Sequence, residues 1–412
     1  MPGARLSRRL VVGAGAGALL LPLGGGAWAA AAEGGPRRLI VILLRGAVDG
    51  LNVVVPYAEP AYYAARPTIA VSRPGTPDGA LPLDERFALH PALARLMPLW
   101  RDGGLAFLHA AGSPDPSRSH FEAQRYVENG TPGRSTTADG WMNRLLQALP
   151  GPRGPTDAIS IGPTLPRILI GRAPVANLPL GPRAVEPAPV DGPQLAAAFD
   201  RLYAGASVLD RAYREGRSAR SELIGALARE QQIADAGAPP PSSFARRATQ
   251  LARLIAGDPR IRLAFVALGG WDTHVDQGGA EGRLANRLRP LGEGLAALAR
   301  GLGGIWPDTV IVVLSEFGRT VHENGDRGTD HGHGNVIWVA GGAVRGRRVY
   351  GDWPGLAPAQ LHERRDLAVT TDFRAVLSAI LRQHLSLDGR RLDAVFPGAP
   401  ASGTGLAKLL TT

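Results

Sequence analysis

Short, near-continuous apolar runs recur along the chain at wide intervals: LIVILL at 39–44, LAFLHAA at 105–111, AISI at 158–161, LAFVALGG at 263–270, TVIVVLS at 309–315 and VIWVAG at 336–341. Each is rich in Val, Ile and Leu and is bounded by Gly or charged residues, the pattern of a strand buried on both faces. Between them, at 90–100 and 284–302, apolar residues repeat every three or four positions, which predicts helices. Alternation of the two patterns predicts an α/β fold: a three-layer α/β/α sandwich around a mostly parallel central sheet. Three further helical stretches, 195–203, 223–233 and 244–255, flank the linker Ala236-Gly237-Ala238-Pro239-Pro240-Pro241. They predict a helical insertion at about 193–256 between two central strands. The Pro/Gly-rich residues 151–192 predict irregular chain at one edge of the sheet or the mouth of the site.

Composition adds to this picture at three points. With 412 residues, 44% of them hydrophobic and 20% charged, the chain can build one large core. The net charge of +10 comes from arginines scattered among acids, with Lys408 the only lysine. No basic block is interleaved with aromatics, so nucleic-acid binding is not expected. At the N-terminus, Ser7-Arg8-Arg9 precedes a mild Gly/Ala/Leu stretch and Ala27-Trp28-Ala29. This predicts a signal peptide of the twin-arginine type over 1–32, with Arg8 and Arg9 its signature, ahead of a single domain over 33–412. The translocase of that pathway is then a partner during export, and the protein leaves folded for the periplasm or the outside. The stretch carries too many glycines to predict a stable membrane span. The absence of cysteine removes disulfides and leaves His, Asp and Glu to build any metal site.

In open α/β sheets ligands bind beyond the carboxyl ends of the strands. Four segments place acids or histidines there: Arg45-Gly46-Ala47-Val48-Asp49-Gly50, Trp271-Asp272-Thr273-His274, Glu316-Phe317-Gly318-Arg319-Thr320, and Thr329-Asp330-His331-Gly332-His333-Gly334-Asn335. In extended chain i and i+2 share a face, so Asp272 with His274, and His331 with His333, each present two donors to one centre. The expected ligand set is Asp49, Asp272, His274, Glu316, His331 and His333. Imidazole with carboxylate suits Zn, Mn, Fe or Ni, and with fewer histidines Mg or Ca. Asp49 before Gly50 reads equally as a turn, while a turn with a satisfied surface pair is the lesser reading of Asp272 and His274. The stretch Arg118-Ser119-His120-Phe121-Glu122 opens a helix after the second run. Ser119 with Glu122 forms a capping-box pattern. The same serine, at a helix N-terminus beside a cation, reads as a nucleophile, with His120 and Arg118 able to touch a leaving group or an oxyanion.

The motifs LLRGAVDGLNVVVPY, RSHFEAQRYVE, GGWDTH, SEFGRT, ENGDRGTDHGHGN and VAGGAVRGRRVYGDWPGL, spread over about 38–385, resemble the exported bacterial proteins of domain-of-unknown-function family 1501. That family is similar to the alkaline phosphatase and sulfatase superfamily, and the resemblance implies the same α/β/α sandwich. It implies Asp49 as the ligand after the first strand, Ser119 as nucleophile, Asp272 with His274 as a later pair, Glu316 as the next carboxylate and His331 or His333 as the last histidine. The pattern departs from the superfamily at Glu316-Phe317, which stands where a neighbouring Asp-His pair is usual. The implied function is metal-dependent hydrolysis of a phosphate or sulfate ester, small or polymer-borne. A divalent ion (Zn, Mn, Ca or Mg) is the cofactor, and Arg45, Arg118 and Arg319 are the cations that neutralise the transferred group. The alternative is a non-catalytic exported binding or assembly protein that retains the fold. Two histidines and a carboxylate also suit a non-haem iron oxygenase.

Overall fold

Each apolar run forms a strand. In the computed structural model, which describes residues 35–178 apart from 152, 153 and 155, and 234–411 apart from 402, twelve strands run in chain order. They are β1 (Arg38–Leu44), β2 (Val54–Val55), β3 (Leu81–Pro82), β4 (Ala88–Leu89), β5 (Leu105–Gly112), β6 (Ala158–Ile161), β7 (Ala176–Leu178), β8 (Leu263–Leu268), β9 (Thr309–Ser315), β10 (Asn335–Gly341), β11 (Arg348–Tyr350) and β12 (Thr371–Asp372). Among the described residues the main sheet has the order β11-β5-β10-β9-β1-β8-β6-β7, with β12 also paired to β5. Strands β2, β4 and β3 make a small separate antiparallel sheet. In the main sheet all pairings are parallel except those of β10, which runs against both β5 and β9.

All seven residues of β1 are buried because both faces of the sheet are covered. Leu39, Val41 and Leu43 pack with Trp141, Met142 and Leu145 of helix Trp141–Ala148, Phe373, Val376 and Ile380 of helix Phe373–Leu385, and Val395. Ile40, Ile42 and Leu44 point the other way, to Phe244 and Leu251 of helix Phe244–Gly257 and to Leu284, Leu288 and Leu295 of helix Arg283–Leu302. Successive side chains of a strand alternate between faces, so one apolar run feeds two cores. The result is the expected three-layer sandwich with a mostly parallel sheet. Each large aliphatic buried this way contributes about 1.5–3 kcal/mol of transfer free energy.

Three details differ from the sequence pattern. The 90–100 stretch is not one helix but a 3-10 segment, Pro91–Leu96, followed by helix Met97–Arg101, with Leu93 off helical geometry at φ −96°, ψ 15°. Pro98 lacks an N–H and its ring crowds the preceding turn, so a continuous helix is not available there. Within 151–192, the AISI run forms β6 as expected, and β7 is a further strand where irregular chain is predicted. Of the helical insertion, the stretches 195–203 and 223–233 lie outside the described residues, as does the signal segment 1–32, while the third stretch forms helix Phe244–Gly257. Among the described residues no helix is long and apolar enough to cross a membrane.

The reversed direction of β10 decides where the His-rich loop lies. The parallel strands β1, β5, β8 and β9 end on one edge of the sheet, and because β10 begins there, the whole connection 316–334 stays on that edge. Beneath it lies a fully buried arginine, Arg66, that uses all five of its N–H donors. Nε donates to Val321 O (2.9 Å), Nη1 to Asp49 Oδ2 (2.5 Å) and Asn52 Oδ1 (2.6 Å), and Nη2 to Asp49 Oδ1 (3.1 Å) and Thr320 O (2.9 Å). The hub joins the turn after β1 to the chain after β9. Removing one partner of a buried pair leaves the other charged and desolvated, so Arg66→Met is expected to cost about 3–5 kcal/mol in chemical denaturation. Adding Asp49→Leu should restore part of that loss; a loss under about 1 kcal/mol for Arg66→Met would contradict this role.

Candidate metal centre

Four side chains meet on the carboxyl edge: His120 from the first turn of helix His120–Asn129, Asp272 and His274 after β8, and His331 before β10. His120, Asp272 and His331 each offer a ligand atom with all three within 4.8 Å of one another. His331 Nε2 lies 3.0 Å from His120 Nε2 and 2.9 Å from His274 Nε2. Asp272 brings Oδ1 to 3.4 Å from His331 Nε2 and 3.0 Å from His274 Nε2, and Oδ2 to 3.7 Å from His120 Nε2.

The ring nitrogens facing away are all occupied. His120 Nδ1 donates to Glu316 Oε1 at 2.8 Å, His331 Nδ1 to the carbonyl of Arg118 at 2.9 Å, and His274 Nδ1 to Asp330 Oδ1 at 3.2 Å. An acceptor on Nδ1 fixes the tautomer and leaves the Nε2 lone pair facing inward, the arrangement by which proteins orient metal-binding histidines. Each ring nitrogen has one in-plane position, for a proton or for a lone pair. His331 Nε2 therefore cannot satisfy both His120 and His274 by hydrogen bonding. A cation accepts lone pairs from several donors at once, and ligands about 2.0–2.1 Å from a tetrahedral zinc lie about 3.3 Å apart, close to the separations within the His120, Asp272 and His331 set. His274 stands alongside as a further donor.

Charge in the cluster is set by mutual contact. Burial raises the Asp272 carboxyl, but the imidazoles of His120, His274 and His331 set against it and the charge of Arg319 outweigh that and hold it well below the usual carboxylate range. Without a cation to displace its proton, His120 is lowered by burial but pushed up to about 9 by the Asp272 and Glu316 carboxylates beside it. His274 is likewise raised, by Asp272, against the opposing effect of burial. His331 goes down, through burial and then the positive charges of Arg319 and His120 beyond what Asp272 restores.

A second buried arginine, Arg319, holds the three segments together. Its Nε donates to Ala47 O (2.7 Å), Nη1 to Thr329 O (3.0 Å), and Nη2 to Gly46 O (2.6 Å) and to the Asp272 carboxylate. The carbonyls of Gly46 and Ala47 face it because that turn adopts positive φ, 108° and 57°. Gly318 allows the neighbouring chain to approach, since a Cβ there would overlap the carbonyl of Gly334.

The remaining expected site residues fall elsewhere. Asp49 is not in the cluster: besides Arg66, it accepts from Gln277 Nε2 (2.6 Å) and caps its own turn through Leu51 N–H (3.2 Å). His333 is not in the cluster either; its ring stacks on His362 with centroids 4.3 Å apart. Glu316, fully buried, stands behind His120, with Oε1 accepting also from Gly46 N–H (2.8 Å) and Gln124 Nε2 (3.0 Å). Burial raises its carboxyl, but the hydrogen bond and charge of His120, with the bond from Gln124, bring it down to about 2. Arg45 donates to the buried Glu128 at 2.7 Å and to Ala236 O at 3.0 Å, and Arg319 is spent on the clamp just described, so neither is turned to a substrate. Arg118 is tied to Asp366 and Glu363. Ser119 is the N-cap residue of helix His120–Asn129, yet its side chain makes no capping bond, and Glu122 turns to Ser117 Oγ (2.8 Å), so the capping box does not form.

His120 is the donor that sequence spacing did not place in the ligand set, because it arrives from a helix rather than a strand end. The other buried histidines are held by backbone carbonyls: His90 by Gly279, His109 by Val54 and His384 by Arg38, each pushed down to about 4 mainly by burial.

Elemental analysis of purified, dialysed protein is expected to find at least one dication per chain. His331→Ala or Asp272→Asn should abolish its retention, and Glu316→Gln should weaken it about 10–100-fold. His333→Ala should retain it in full. Equal loss with His331→Ala and His333→Ala would contradict the assignment.

No curated protein matches the sequence. Among solved structures the chain is similar to the C-terminal periplasmic domain of EptC from Escherichia coli in complex with Zn, at 12% identity and TM-score 0.35 over 74% of this chain and 73% of that one. It is also similar to a protein in the alkaline phosphatase superfamily from Vibrio parahaemolyticus (10%, TM-score 0.37, 77% of this chain and 63% of that one). A third is the lipoteichoic acid synthase LtaP from Listeria monocytogenes (9%, TM-score 0.38, 90% of this chain and 76% of that one). Likenesses this remote carry no weight for the chemistry. The sequence match is stronger evidence: residues 106–396 fit the family described as Protein of unknown function (DUF1501), and the chain belongs to that family.

Proposed function

We propose that the protein is an exported metal-dependent hydrolase of phosphate or sulfate esters, with His120, Asp272 and His331 holding a dication and His274 a further donor to it. The observation that carries this reading is the inward convergence of Nε2 atoms whose opposite nitrogens are all fixed by acceptors. A bound dication would polarise an ester oxygen and lower the pKa of a nearby hydroxyl. The nucleophile is Ser119. It is solvent-exposed, lies between Arg118, whose carbonyl orients His331, and the donor His120, and stands at the N-cap position of a ten-residue helix with its hydroxyl not used for capping. The free N–H groups of that helix start favour negative charge on the hydroxyl and on the oxyanion. In the reaction the Ser119 Oγ bond to phosphorus or sulfur forms as the ester bond breaks. The serine proton passes to solvent and the leaving oxygen takes one up, and water then cleaves the serine ester, releasing phosphate or sulfate and restoring the hydroxyl. Arg8 and Arg9, with the segment that follows, support passage through the twin-arginine translocase and a periplasmic or secreted location.

The internal engagement of Arg45 and Arg319 favours a second reading, a non-catalytic exported binding protein with the same ion. The two separate on turnover. Wild-type protein supplied with Zn, Mn, Ca or Mg should hydrolyse an aryl phosphate or an aryl sulfate, and Ser119→Ala should lose at least about a thousandfold in kcat with its metal content unchanged. Turnover of neither class with any of the four ions would refute the hydrolase reading.

A further inference from the structure

The turn His362–Asp366 lies against the segment that carries His331. The two share the stacked rings of His333 and His362, and Gly334 N–H donates to Leu367 O at 2.7 Å. Within this turn Asp366 is fully buried and serves two arginines. Its Oδ2 accepts from Arg118 Nε (3.2 Å) and Nη2 (2.7 Å) and from Arg365 Nη2 (3.3 Å), and its Oδ1 from Arg365 Nε (2.9 Å). Both arginines are also tied to His331. Arg365 Nη2 donates to its carbonyl, and its Nδ1 donates to the carbonyl of Arg118.

One buried carboxylate under two guanidinium groups leaves a surplus positive charge. Glu363, more than half exposed, answers it with a 2.6 Å contact to Arg118 Nη2. The Nη1 groups of Arg118 and Arg365 make no hydrogen bond to the described protein, and their side chains remain 30% and 42% exposed. Planar guanidinium groups fixed from behind, with donors left toward solvent, recognise tetrahedral oxyanions. The Glu363 carboxylate occupies one such donor as an internal substitute, and an exposed ion pair of this kind is readily exchanged.

We propose that Arg118 and Arg365, fixed on Asp366, form an oxyanion-binding site beside the donor cluster that takes a phosphate or sulfate group in exchange for Glu363. As a substrate subsite it rests on the hydrolase reading; as an anion site it stands without turnover. The test is titration calorimetry of the full-length protein, dialysed against chelator, with inorganic phosphate and separately with sulfate. Saturable binding that weakens with added sodium chloride is expected for at least one of them, and the stronger of the two names the oxyanion. Arg365→Gln should weaken it at least tenfold. Glu363→Gln, which removes the competing carboxylate, should tighten it roughly two- to fivefold. Melting temperature and metal uptake of each variant verify its fold. No binding of either anion in the absence of metal, unchanged affinity in Arg365→Gln, or weaker affinity in Glu363→Gln would each overturn the proposal. Failure of the hydrolase reading shows separately, as binding without turnover.

Discussion

Two buried arginines that spend their donors inside the protein constrain everything at the carboxyl edge. A guanidinium group out of water costs several kcal/mol unless its charge and its N–H groups are matched, and here the matches come from distant segments. Arg66 joins the turn after β1 to residues 320 and 321, and Arg319 joins the same turn to Trp271-Asp272 and to Thr329. Each hydrogen bond to a charged group contributes about 1.5–3 kcal/mol, and losing one partner strands the rest. The loops therefore cannot drift independently, and donors on three loops stay in one geometry. Preorganisation of this kind is what a metal centre requires of its surroundings.

The reversed β10 adds the topological half of the constraint. A parallel crossover after β9 would carry residues 316–334 to the opposite edge, whereas the antiparallel return keeps Glu316, Arg319 and His331 together. The 362–366 turn, reached after β11, lies against the same segment, and its Asp366 pairs Arg118 with Arg365. The donor cluster and the arginine pair thus share one histidine, touched on its ring by Arg118 and on its backbone by Arg365.

Much of this was legible in the sequence, for reasons that particular residues make plain. The runs at 39–44, 263–268 and 310–314 are apolar at every position because both faces are covered, so strands and layers could be read directly. Asp272 and His274 converge as extended chain predicts. His331 and His333 do not. Gly332 N–H bonds to Gly318 O and Gly334 N–H to Leu367 O, so the segment is pinned from two sides, and its second histidine joins His362. Asp49 followed the first strand as a ligand should, but a buried Arg66 seventeen residues later claims it, and no local pattern marks a lone arginine as buried. His120 lay in a helical pattern whose first turn reads equally as a cap; only the fold brings it against Glu316 and His331.

In the proposed centre, imidazoles from a helix and a loop and a carboxylate from a strand end share one cation. X-ray absorption spectroscopy of the protein carrying its native or added metal tests it most directly. At least two imidazole nitrogens and a carboxylate oxygen are expected at about 2.0–2.2 Å, with the imidazole signal reduced in His120→Ala and in His331→Ala. A metal shell of oxygen ligands alone, or an imidazole signal unchanged in both variants, would contradict it.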